Sequence, residues 1–254
     1  MVNTPRFHCS MSLAAARVVD LPESVAHHAG RVLRLRSGDP LILFNGDGGE
    51  YTARIIDIER TRVSAEILQW QDCERESPLA VTLVQALQAG EKMDSTIQKA
   101  VELGVRRIVP VFSRRSVLRL DGERAVRRLQ HWRGVIAAAC EQCGRNRLPE
   151  IDAPESLECW LARPPEAGVV RLMLAPNAER CLATLPGAAS GREVELLIGA
   201  EGGLAAEERE LAESTGFVPV RLGPRILRTE TAGLAALAAI QLLWGDFKEE
   251  TTNV

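Results

Sequence analysis

The sequence predicts an α/β fold: a mainly parallel sheet wrapped by helices, preceded by a small antiparallel, barrel-like β domain. Three observations carry this expectation. From Pro78 onward, short apolar runs alternate with amphipathic stretches of helical period, the rhythm of a parallel sheet with crossover helices. Before residue 72 the chain is dominated by β-prone runs, two of which flank Asn45-Gly46-Asp47-Gly48-Gly49, a strong hairpin signal. Between the two regimes lies "QDCERESP" (71–78), polar, charged and closed by proline, which marks a boundary. The expected domains are therefore residues 1–72 and 78–248.

In the first domain, "ARVVDL" (16–21) reads as a short strand. "PESVAHHAGRVLRL" (22–35) opens with proline and carries Val25, Ala29, Val32 and Leu33 at helical spacing. "PLILFNGDGGEYTARIIDIE" (40–59) is the hairpin, and "RVSAEILQW" (62–70) alternates as a further strand. In the second domain, "LAVTLVQAL" (79–87) is an apolar strand and "KMDSTIQKAVELG" (92–104) a helix stopped by Gly104. "VRRIVPVFS" (105–113) is a strand, followed by a long helix over 122–144. "VVRLMLA" (169–175) and "EVELLIG" (193–199) are strands, with a short helix over 177–185 between them. "LAAEERELAESTG" (204–216) is a helix with acids early and a glycine stop, "FVPVRLG" (217–223) a strand, and the chain closes on a helix rich in Ala and Leu. No internal repeat or low-complexity tract is present.

Composition narrows the function classes. With 254 residues and 46% hydrophobic content, the chain is long enough for two domains with real cores. No apolar run reaches the roughly 20 residues of a membrane span; Ala232 to Leu243 is the nearest and reads as a buried helix. The N-terminus lacks a basic-then-apolar signal pattern, and six irregularly spaced cysteines fit reduced thiols, so a cytoplasmic location is expected. The net charge of −3 argues against a general polyanion binder, but the charge is unevenly spread. Residues 90–150 carry 13 basic and 7 acidic side chains, almost all of the bases arginine, as a local nucleic-acid footprint would.

Ligands of open α/β sheets bind beyond the carboxyl ends of the strands. Three such ends are unusual here. "LMLAPNAE" (172–179) leaves its strand through a proline-asparagine turn, "LLIGAEGGL" (196–204) through three glycines around Glu201, and "RLGPRILRTETA" (221–232) through Gly223-Pro224. Glycines let backbone amides approach a ligand closely. Thr229 and Thr231 are candidate caps of the last helix. The glycine pattern matches neither a dinucleotide fingerprint nor a phosphate loop.

"LLIGAEGGL" followed by "LGPRILRTETA" resembles the paired signature of SPOUT-class methyltransferases, and more narrowly the RsmE family, which methylates N3 of a uridine in 16S ribosomal RNA of the small subunit. "HHAGRVLRLRSGD", "LFNGDGGEYTARI", "GEKMDSTIQKAVELGV", "FSRRSV" and "ACEQCGRNRLPEI" resemble further blocks of that family. Alanine stands at position 200 where the family usually has proline. The resemblance implies a PUA-like N-terminal barrel, a SPOUT-type parallel sheet with a deep trefoil knot, a homodimer, and S-adenosylmethionine as cofactor. By the same resemblance the cofactor contacts fall on Leu174, Leu197, Gly199, Gly202, Leu222, Ile226, Leu227 and Thr231. RNA contacts fall on Arg31, Arg34, Arg114, Arg115, Arg145 and Arg147, which present charge and shape rather than stacking platforms.

The chemistry asks for alignment of an activated methyl group and for stabilisation of the anion left when uracil N3 loses its proton. Guanidinium groups can stabilise that anion, and Arg6, Arg225 and Arg228 are the candidates. Glu201 and Glu230 are the acids of these loops that can take a proton, or can instead pair with Arg225 or Arg228. No metal is expected. Cys140-x-x-Cys143 lacks the second pair a zinc site wants, and His27-His28 has no third ligand in view. The competing readings are a non-catalytic RNA-binding protein on the same fold and a dinucleotide-dependent oxidoreductase.

Overall fold

The computed structural model describes residues 4–59, 62–116, 118–164, 167–185 and 193–247. The chain forms two compact units, Met1–Glu76 with Ala137–Leu148, and Ser77–Ile136 with Pro149–Val254. The expected end of the second domain at residue 248 lies outside the described residues.

In the first unit, β1 (Arg6–His8) and β2 (Arg17–Asp20) lead to α1 (Glu23–His27), then β3 (Pro40–Phe44), β4 (Glu50–Ile58) and β5 (Val63–Gln71). The sheet order is β1-β3-β4-β5-β2. β3 and β4 form the expected hairpin, with Leu41 opposite Ala53. Its turn uses Gly46, Gly48 and Gly49 at positive φ, and a Cβ at Gly49 would stand 2.6 Å from Trp70 Nε1. The alternation of β3 and β4 puts Leu41, Leu43, Ala53 and Ile55 into a core with Phe7, Ala29 and Ile67. The single helix expected over 22–35 is α1 followed by a π-helical turn over His28–Val32.

Residues 137–148 belong to this unit, which a boundary drawn at 71–78 does not foresee. Local polar contacts explain it. Asn146 donates to the Cys73 carbonyl at 2.7 Å, Arg145 Nε donates to Glu76 at 3.0 Å, and the His8 amide donates to Glu141 at 2.9 Å. A buried polar group must find such partners, so these bonds hold the segment against the strands.

The second unit runs β6 (Ala80–Ala86), α2 (Lys92–Glu102), β7 (Arg107–Phe112), α3 (Gly122–Cys143, shared with the first unit from Ala137), β8 (Glu150–Ile151), β9 (Glu155–Ser156) and α4 (Leu157–Leu161). It continues with β10 (Val170–Leu174), β11 (Glu193–Ile198), α5 (Ala206–Ser214), β12 (Val218–Val220) and α6 (Thr229–Trp244). The expected parallel sheet is present, in the order β12-β10-β11-β6-β7-β8, with β9 also on β7. Val84, Val109, Met173 and Leu197 from four adjacent strands meet Trp160 and Phe217 in its core. β12 is short and lies at the edge, with Pro219 opposite Met173.

α2 ends as its sequence predicts. Gly104 takes φ +80, and a Cβ there would come within 2.7 Å of Gln241 Nε2. That amide donates to the Leu103 carbonyl at 3.1 Å, so a buried glutamine of α6 caps α2. The short helix expected over 177–185 is reduced to a 3-10 turn at Leu182–Thr184, while β8, β9 and α4 fall in a stretch with no clear period.

Candidate functional site

β12, β10 and β11 are adjacent and parallel, so Val220, Leu174 and Ile198 end them on one side of the sheet. The loops that follow enclose a cleft of about 530 Å³, large enough for a nucleoside-sized cofactor. Leu174, Ile198, Leu222, Ile226 and Leu227 give it apolar walls, and the 199–204 loop supplies backbone groups.

The loop is held by its own turn and by α6. Gly203 donates its amide to the Ala200 carbonyl at 2.8 Å. A Cβ at Gly199 would stand 3.1 Å from both Leu204 Cγ and Leu204 N, a close approach that glycine leaves free of crowding. Thr229, buried in the first turn of α6, donates to the Gly199 carbonyl at 2.7 Å and accepts from Gln85 Nε2 at 3.2 Å. Thr229 and Thr231, the candidate caps, are therefore not caps. The residue preceding α6 is Arg228, which makes no side-chain cap bond, and the Thr229 hydroxyl is spent on joining the Gly199 loop and the start of α6 to β6.

Of the expected cofactor residues, Leu174, Gly199, Leu222, Ile226 and Leu227 line the cleft. Leu197, Gly202 and Thr231 do not. The Leu197 side chain is fully buried in the core, because neighbours along a strand point to opposite faces. Gly202 faces outward, where Arg115 Nη1 donates to its carbonyl at 2.6 Å, and Thr231 is exposed on α6.

Of the residues expected to be catalytic, Arg225, Arg228 and Glu201 line the cleft. Neither arginine has an ion-pair or hydrogen-bond partner for its side chain among the described residues, which leaves their donors for a ligand. Arg6 differs: it belongs to the first unit, where its guanidinium pairs with Glu50, donates to Asn146 Oδ1 at 2.6 Å and lies over the Phe44 ring. Its side chain is 10% exposed, with Nη1 engaged by Glu50 and Nη2 tying β1 to the 144–146 segment.

Three charged residues of the cleft escape a reading of the sequence: Lys92, Arg209 and Arg221. Lys92, the first residue of α2, forms an ion pair with Glu201 and lies 3.5 Å from Glu230 Oε1. Its hydrogen bond and charge, with help from Arg228, hold the Glu201 carboxyl below the usual range, and Glu201 in return pushes Lys92 up. Glu201 is therefore ionised well into acid and a correspondingly weak base.

The arginines expected to meet RNA divide. Arg31, Arg34, Arg114, Arg115 and Arg147 are exposed, although Arg114 pairs with Glu158 and Glu207, and Arg147 lies 3.5 Å from Glu74. Arg145 is 5% exposed in its ion pair with Glu76, a position with no free face for a phosphate. Among the described residues no group of three or more His, Cys, Asp or Glu could hold a metal ion, and no helix is long and apolar enough to cross a membrane.

Family models for an RNA methyltransferase domain and an RNA methyltransferase PUA domain match residues 75–241 and 21–68. A ribosomal RNA small subunit methyltransferase E from Buchnera aphidicola is 37% identical over 242 residues, covering 95% of this chain and 97% of that protein. The crystal structure of a ribosomal RNA small subunit methyltransferase E from Neisseria gonorrhoeae bound to S-adenosylmethionine is 41% identical, with a TM-score of 0.91 over 97% of this chain and all of that one. A Legionella pneumophila methyltransferase with the same cofactor gives 37% identity and a TM-score of 0.92, over 96% of this chain and 100% of that one. Fold and sequence agree, and the chain belongs to the ribosomal RNA small subunit methyltransferase E family.

Proposed function

We propose that this protein transfers the methyl group of S-adenosylmethionine to N3 of a uridine in 16S ribosomal RNA, as a homodimer in the cytoplasm. The observation that carries the reading is the cleft at the ends of β10, β11 and β12, closed by the Thr229–Gly199 bond and lined by two arginines with free donors. The residues fit the cofactor. Apolar walls at Leu174, Ile198 and Leu227 suit an adenine ring, the glycine-rich loop exposes backbone groups, and Glu201 and Glu230 answer a cationic sulfonium. The bound cofactor supplies a methyl group already activated for transfer.

The chain's residues do the rest. Arg225 and Arg228 direct guanidinium donors at the carbonyl oxygens of the uracil, where the charge of the N3 anion accumulates. Glu201, kept ionised by Lys92 at the exposed rim, is too weak a base to retain the N3 proton and only relays it to water. Exposed Arg31, Arg34, Arg114, Arg115 and Arg147 supply phosphate contacts that attract the RNA without entering the reaction. The trefoil knot implied by the family resemblance would keep the cleft loops in register. Leu242 of α6 is 57% exposed, and half-buried Leu234, Ala235, Ala238 and Ala239 share its face of the helix, an apolar face suited to a second copy.

The test is methyl transfer from labelled S-adenosylmethionine to undermethylated small subunits and, side by side, to naked 16S RNA. Nucleoside digestion should return labelled 3-methyluridine. A label on another base, or none on either substrate, would sink the proposal. Light scattering that shows a monomer at micromolar concentration would remove the homodimer.

A further inference from the structure

The charged side chains of the cleft are unevenly arranged. Arg209, Arg221, Arg225 and Arg228 contribute positive charge, while Glu201 and Glu230 gather around Lys92. The two glutamates are not equivalent. Glu201 takes the close contact with Lys92 and is 60% exposed, so both the ammonium and water moderate its charge. Glu230 stands 3.5 Å from Lys92 through Oε1, and its Oε2 is enclosed with no hydrogen-bond partner among the described residues. Glu230 is thus the least compensated anion in a cleft otherwise dominated by cations.

We infer that Glu230 is a specificity-determining residue that makes the cleft prefer the cationic sulfonium cofactor to its neutral thioether product. This rests on the methyltransferase reading above. Methyl transfer removes one positive charge from the bound cofactor. A carboxylate left short of donors attracts the charged form and is indifferent to the neutral one, because the interaction scales with the product of charges. The surrounding arginines would by themselves favour the neutral product. Glu230 reverses that bias, and Lys92 with Glu201 fixes the wall in which it stands. Discharged cofactor is thereby released for exchange against the next charged one.

The test compares calorimetric affinities of the full-length protein for S-adenosylmethionine and S-adenosylhomocysteine. Glu230→Gln keeps the side-chain shape and removes the charge. It should weaken binding of the sulfonium form on the order of tenfold and change the thioether form by less than about twofold, as expected for one partly shielded charge. Its melting temperature should not fall, because an under-compensated carboxylate is being neutralised. Equal loss of both ligands would make Glu230 merely structural, and no change in either would make it irrelevant; both outcomes overturn the inference. Failure of the unaltered protein to bind either ligand would instead overturn the methyltransferase reading.

Discussion

Thr229 is the hinge pin of the cleft, and replacing it by valine isolates the contribution of one hydroxyl. The side chain is 6% exposed, so valine fills the same space with no new surface. Two hydrogen bonds are lost, to the Gly199 carbonyl and from Gln85 Nε2. The Gln85 amide is fully buried and keeps only its bond to the Ala86 carbonyl, leaving one N–H without an acceptor. Gly199 is partly open to water, which replaces its lost donor in part. A stranded buried donor costs about 1–3 kcal/mol and a solvent-replaced bond less than about 1 kcal/mol, so Thr229→Val should lower stability by about 2 kcal/mol. Thr229→Ser keeps the hydroxyl and loses a methyl, for about 1 kcal/mol. Adding Gln85→Leu to Thr229→Val removes the stranded donor and should recover about 1 kcal/mol. Urea unfolding measures all three, and calorimetry should show weaker cofactor binding for the valine variant because the Gly199 loop is no longer tied to α6. Serine as harmful as valine, or valine within about 0.5 kcal/mol of the parent, would refute the reasoning.

Gly199→Val should weaken S-adenosylmethionine binding in calorimetry, since its Cβ stands 3.1 Å from Leu204 and the loop must shift to admit it, whereas Gly202→Val meets only flexible Arg115 carbons at 3.4 Å or more and should weaken binding less. Arg228→Ala should lower kcat about a hundredfold with little change in RNA affinity, while Arg147→Ala should lower the salt slope of RNA binding by roughly one and spare kcat; the reverse pattern in either refutes the division. Arg145→Ala should lower stability by about 3 kcal/mol in urea unfolding, because Glu76 loses its buried partner, and should leave the RNA salt slope unchanged. Burial pushes the thiols of Cys9 and Cys140 up to about 12, so native protein at pH 8.5 should alkylate at exposed Cys159 long before either. The unfolded thiols ionise near 9 while the folded ones stay protonated, so stability contributed by these cysteines is intact below pH 9 and is lost as pH rises toward 12. Rapid labelling of Cys140 in the native protein would contradict this.

The cleft is legible in sequence where backbone chemistry is local. Glycine and proline interrupt apolar runs at 176, 199 and 223–224, and such interruptions at strand ends are readable without coordinates. Long-range partners are not. Lys92 opens an ordinary helix and meets Glu201 across 109 positions of sequence, a pairing that no periodicity encodes. Arg6 and Arg145 look like free guanidinium groups in sequence, yet Glu50 and Glu76 bury them, because burial of an arginine depends on a carboxylate supplied from elsewhere in the chain. The strand and helix alternation after Pro78 is readable because each element repeats its own period, whereas β8 and β9 are two residues each, too short to repeat anything.

The edge of the parallel sheet has a consequence for the life of the chain in a crowded cell. Val220 turns its carbonyl to β10, where the Ala175 amide donates to it at 2.9 Å. Pro219, one residue earlier, therefore faces the other way, toward the side on which Arg221 bonds Arg180 and Leu182. A proline there costs the ladder no bond, and it deletes the N–H that an invading strand would need. With only three residues in β12, a newly made neighbour finds no continuous row of donors and acceptors on which to grow. The sheet is thus guarded against runaway polymerisation by one imino acid at its rim, together with the 180–182 segment that occupies Arg221. Pro219→Val should leave the native ladder intact and raise the tendency of concentrated, partly unfolded chains to form fibrils.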